Sequence, residues 1–172
     1  ALGEDHSLFT QGIQVEVTSK QTNVNTNDGA DNDSVEFVWE VTITNIGDED
    51  VFINADNADV VSSDTAADVD TLYASEDGAA TLGSFSGTIT DENATESTAS
   101  AGNFNGEVFY KIAAGGSEDF TITVTATNSA GAGQVRGWLT AIEWTTNING
   151  GVAESYTANL VQDSRTPFKL VN

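Results

Sequence analysis

Two runs of strict alternation set the terms for what this chain can fold into. In residues 35–45, VEFVWEVTITN, the side chains of Val35, Phe37, Trp39, Val41 and Ile43 share one parity. Glu36, Glu40, Thr42 and Thr44 share the other, with Val38 the single apolar residue among them. In residues 119–127, DFTITVTAT, Phe120, Ile122, Val124 and Ala126 alternate with polar residues, mostly threonine. A period of two sends one set of side chains into a core and the other into water, as half-buried strands do. A helix, with 3.6 residues per turn, would scatter both sets around its axis.

The other apolar runs are short, rich in Val and Thr, and separated by Gly, Asn and Asp, and the chain holds one proline, Pro167. Residues 13–17, 51–54, 79–90, 107–112, 156–161 and 168–171 read as further strands. In residues 135–145, Trp138, Ile142 and Trp144 fall on one parity and Leu139 and Ala141 on the other, so burial on both faces is expected. Residues 21–33 and 91–105 read as exposed loops, and residues 65–72 have room for a short helix. About nine strands with short turns predict an all-β fold, a jelly roll or two-sheet antiparallel β-sandwich. At 172 residues the chain can bury a substantial core. The expected organisation is one sandwich over residues 13–172 and an extended N-terminal strand over residues 1–12, with Gly12 at the join able to turn the chain.

Charge narrows the partners. There are 27 acidic residues against 5 basic ones, a formal net charge of −22. Such a surface repels nucleic acid and anionic lipid, so neither is an expected partner. No stretch reaches the length of an apolar transmembrane span, and membrane insertion is not expected. The chain lacks methionine and starts at Ala1, which predicts a mature form whose leader has been removed, and hence an extracellular or cell-surface location. Cysteine is absent, so stability cannot come from disulfides and no thiolate can act as nucleophile or ligand.

Two readings of the carboxylates stand side by side. One is a salt-adapted surface whose self-repulsion is screened. The other is calcium, the one cofactor worth weighing, with Asp28, Asp31 and Asp33 in one loop and Asp56 and Asp59 in another. Neither loop places a Gly and a closing Glu at the offsets an EF-hand requires. Enzymatic chemistry finds no foothold. His6 is the only histidine and lies in the N-terminal arm, where a catalytic triad would lack a buried, oriented base. Zinc would need further His or Cys ligands. Carboxylates suited to glycoside hydrolysis abound, but nothing singles out a pair. No enzyme activity is therefore expected. Trp39, Trp138 and Trp144 could form a sugar-binding platform or pack in the core, and the strand position of Trp39 favours the core. Asn32-Asp33-Ser34 and Asn93-Ala94-Thr95 match the N-glycosylation acceptor pattern, both in expected loops. Lys20, Lys111 and Lys169 are available for Lys–Asn isopeptide crosslinks, although no motif supports one.

Three stretches carry a family resemblance. FTQGIQVEVTSK (residues 9–20), VEFVWEVTITNIGDEDVFI (residues 35–53) and GWLTAIEWTTN (residues 137–147), in that order, resemble the opening strand, the following strand and return, and the late strand of the TasA/camelysin family of secreted fibre proteins. Residues 54–105 have no counterpart. The acidic, lysine-poor composition departs from bacterial members and is more similar to archaeal bundling pilins. The resemblance implies a jelly-roll subunit of an extracellular filament, a pilus or biofilm-matrix fibre, polymerising head to tail by donor-strand complementation. The partner would be the protein itself, as a homopolymer, together with neighbouring filaments or surface glycans. Carried onto this sequence, the donor would be residues 1–10, with Leu2, Leu8 and Phe9 as pocket fillers. The alternative is a carbohydrate- or calcium-binding sandwich module of an adhesin or surface layer.

Overall fold

The alternating runs do form the centre of a sheet. In a computed structural model, residues 11–26, 32–54, 80–91 and 93–172 are described in full and residues 69–75 as backbone. These residues form eleven strands and one short helix. One antiparallel sheet has the order β1 (Ile13–Asn25), β2 (Ser34–Asn45), β8 (Ser117–Ala130), β5 (Thr81–Thr90). The second runs β10 (Glu154–Tyr156), β9 (Gly133–Thr145), β3 (Val51–Asn54), β7 (Val108–Ile112), β6 (Thr95–Thr98), with β4 (Val69–Ser75) and β11 (Lys169–Val171) also paired to β9. The expected antiparallel β-sandwich is what forms.

The core lies between the sheets. Phe37, Trp39, Val41 and Ile43 of β2 meet Phe120, Ile122 and Val124 of β8 across the ladder, with Trp39 opposite Ile122. Ile53, Ile112, Leu139 and Ile142 of the second sheet complete it. Removing this apolar area from water is the main stabilising term, roughly 25 cal/mol per Å2. Gly137 of β9 belongs here for a steric reason: a Cβ on it would lie 2.9 Å from the Phe37 ring.

Four expectations need correction. Residues 21–25 are strand, not loop. A bulge between Val17 and Ser19 inserts one residue into β1, so inward parity passes to Thr22 and Val24. The extra residue inverts the pattern in a stretch whose polar composition reads as loop. Residues 69–72 are not helical, because β4 takes its backbone partners from β9, with Leu72 opposite Trp138. Residues 95–98, expected in a loop, form β6 along β7. Residues 157–161 are not strand. Tyr156 ends β10, Asn159 turns the chain at φ 57°, and α1 (Leu160–Asp163) follows, with Leu160 buried. In β9 the double-faced pattern has a local cause. The ladder to β4 skips Thr140, so Ala141 and the next residue, Ile142, are both buried, while Trp138 and Trp144 are half-buried.

Candidate functional site

A sandwich must close the seam between the edges of its two sheets, and the described residues close one such seam along half of its length. On one side lies β1, the edge of the four-stranded sheet; on the other lies the edge of β9 that carries β10 and β11. Between those two short strands, residues 164–166 satisfy the edge of β9 with hydroxyls in place of a strand. The Leu139 N–H donates to Ser164 Oγ (2.8 Å), the Gly137 N–H to Thr166 Oγ1 (3.0 Å), and the Thr166 N–H to the Gly137 carbonyl (2.9 Å). The Trp39 indole N–H donates to the Ser164 carbonyl (2.6 Å). From the β1 side, Thr22 donates to the Pro167 carbonyl (2.7 Å) and meets the Thr166 hydroxyl at 2.6 Å, while the Lys20 ammonium donates to the Asp163 carbonyl. The strap ends in a latch, where the Asn172 N–H donates to Asp33 Oδ2 (2.7 Å).

The other half of the seam is a groove of about 810 Å3. Its walls include Gly12 and Ile13 at the start of β1, Ile46 after β2, Trp144 at the end of β9, and Val152 and Tyr156 around β10. Local structure makes the walls apolar. Asn45 is fully buried and ties the turn after β2: its side-chain oxygen accepts the Gly47 N–H (2.9 Å) and its amide donates to the Glu49 carbonyl (2.7 Å). That Asx-turn leaves Ile46 facing outward, 53% exposed, while its N–H is held by the Gly12 carbonyl (3.0 Å). Opposite, the turn at residues 147–151 closes through the Gly151 N–H and the Asn147 carbonyl (2.8 Å) and leaves Val152 76% exposed. Gly151 is required there, since a Cβ would sit 2.4 Å from the Asn147 carbonyl oxygen. Isolated exposed apolar side chains are ordinary, but here two of them line one concave, largely apolar surface. Gly12 needs no special backbone conformation, and a Cβ would meet Ile46 at an ordinary 3.5 Å.

The sequence-derived candidates are dispersed. Leu2, Leu8 and Phe9 lie outside the described residues, and so do Asp28, Asp31, Asp56 and Asp59. Asp33 is 1% exposed and engaged in the C-terminal latch. Among the described residues no group of three or more His, Asp or Glu side chains is arranged to hold a metal ion. Asn93 is exposed and Asn32 half-buried. Trp39 is a core residue, as its position suggested. Trp138 sits under the Arg165 guanidinium at 6.0 Å and Trp144 lines the groove, so the three indoles share no platform. Lys111 pairs with Asp50 at 2.5 Å, the two side chains 37% and 40% exposed. The hydrogen bond from Lys111 holds the Asp50 carboxyl below its ordinary pKa.

Sequence reasoning missed Ile46, Val152, Ser164 and Thr166. An isoleucine inside the N-x-G turn Asn45-Ile46-Gly47 was the one readable signal, because turn positions rarely need an apolar side chain. No helix among the described residues is long and apolar enough to cross a membrane. No protein-family model, curated protein or solved structure matches the chain.

Proposed function

We propose that the protein is the subunit of an extracellular filament and that its open groove receives residues 1–10 of the next copy. One observation supports this reading: a largely apolar groove runs along the half of a sheet seam that no other described segment covers, and Gln11 and Gly12, which follow residues 1–10 in sequence, line it. Residues 1–10, ALGEDHSLFT, supply Leu2, Leu8 and Phe9 as apolar anchors. An extended segment laid along a seam gains main-chain bonds from a sheet edge, here β1 or β10, and side-chain burial from the groove. Donation from each copy to the next does not close on itself and propagates as a fibre. The donor carries Glu4 and Asp5 into a chain of net charge −22, so assembly should strengthen with salt.

Deleting residues 1–10 tests the reading. The truncated protein should keep its far-ultraviolet circular dichroism and melt cooperatively, yet show no filaments by negative-stain microscopy. Filaments formed by the truncated protein would refute donation from this segment. A second reading rests on Trp144 and Tyr156, two aromatic side chains that both line the groove and offer the kind of ring face on which a sugar stacks. It requires saturable quenching of tryptophan fluorescence by a soluble saccharide, and the quenching should vanish in Trp144→Leu.

A further inference from the structure

We propose that Asn93 carries an asparagine-linked oligosaccharide and that Asn32, the other acceptor sequence, does not. The proposal rests on the extracellular location assumed above, and on geometry of its own. The sequence Asn93-Ala94-Thr95 leads into β6, which pairs with β7 alone among the described strands. Asp91 organises the bend: its Oδ1 accepts the Asn93 N–H (2.7 Å) and the Ala94 N–H (3.0 Å). Ala94 packs against the core, while Asn93 and Thr95 on either side of it are exposed. The acceptor amide and the threonine hydroxyl that the motif requires therefore both face water. The second sequence is built the opposite way. Asp33 is buried, its carboxylate holds the Asn172 N–H and its carbonyl accepts the Asn128 N–H (2.8 Å). Ser34 is fixed between Asn25 of β1 and Thr127 of β8. A sugar on half-buried Asn32, even one added before folding, would have to share space with the strap latch.

The donor is a polyprenyl-phosphate- or diphosphate-linked oligosaccharide. The Asn93 Nδ2 attacks the anomeric carbon and forms a C–N bond. The anomeric C–O bond to phosphate breaks, the polyprenyl phosphate or polyprenyl diphosphate of the donor leaves with the electron pair, and the amide loses one proton to a base of the transferase. A glycan at this point stands at the head of a strand that has one partner among the described residues, and it keeps the outer edge of that strand from pairing with another chain.

The test is peptide mass mapping of the protein isolated from its natural host, with three variants expressed there. The wild type should carry a sugar mass on the peptide containing Asn93 and none on Asn32. Asn93→Gln and Thr95→Ala should lose it, and Thr95→Ser should keep it, which separates loss of the acceptor motif from loss of fold. A bare Asn93 in assembled filaments would overturn this inference and leave the filament reading intact. A glycosylated Asn93 in a protein that never assembles would support this inference and remove the other. Sugar on Asn32 would overturn it.

Discussion

The two halves of the β1–β9 seam meet the same physical demand in opposite ways. Both expose sheet edges that would otherwise leave backbone donors and acceptors unsatisfied. Under the strap, Ser164 and Thr166 fill that need from within the chain, and Ser164 is fully buried. Beside β10, the walls are largely apolar, with Glu154 and Ser155 among the polar residues that line them, and Ile46 and Val152 are exposed. The first half is built for stability. In the second, the described residues leave Ile46 and Val152 exposed, which is the feature the proposed acceptor role draws on.

The comparison can be broken most strongly at Trp39. Trp39→Ala should cost about 3–5 kcal/mol, through the cavity it opens and the loss of the bond to the Ser164 carbonyl. Thermal and chemical denaturation would read it, and a cost near zero would mean that the strap is not tied to the core. Ser164→Ala should cost about 1–3 kcal/mol, because the Leu139 N–H loses its buried acceptor. In the open half the expectation reverses. Ile46→Asp and Val152→Asp should alter subunit stability by no more than about 0.5 kcal/mol. If the groove receives residues 1–10 as proposed, both should nevertheless abolish filaments seen by negative stain, since each replaces an apolar wall residue with a carboxylate. If these variants assemble normally, the groove is not the acceptor.

The smallest effect belongs to the exposed Lys111–Asp50 pair, which lies outside the seam and serves as its control. Asp50 has a lowered pKa in the folded protein, so its contribution is present above the ordinary carboxylate pKa and fades as pH falls through the lowered one. Lys111→Ala should therefore lower the melting temperature slightly near neutral pH and not at strongly acidic pH. At roughly 1 M salt, where the Debye length is about 3 Å, the difference should disappear. A large effect that survived salt would show that the pair does more than its exposure suggests.

How much was legible in the sequence depended on whether neighbours along the chain carried the signal. The inward residues of β2 and β8 were readable one by one, because a period of two in a central strand is set locally and the ladder only confirms it. The end of β1 was not, since the bulge at Thr18 hides the period and the inward residue is a threonine. Nor was α1, whose position depends on burying Leu160 against β9 rather than on any run of helix formers. The groove was partly legible. The N-x-G turn placed an apolar residue at an exposed position, but its opposing wall, Val152 and Tyr156, lies over 100 residues away.

By itself, then, the sequence determined the sandwich, the inward faces of its two central strands, the core position of Trp39, and a net charge of −22. Those properties follow from side-chain period and composition, which act locally or sum over the whole chain. Tertiary structure alone decided which half of the seam is closed. Closure requires Thr22, Ser164 and Thr166, distant in sequence, to meet at one edge of β9, and no local pattern encodes that meeting.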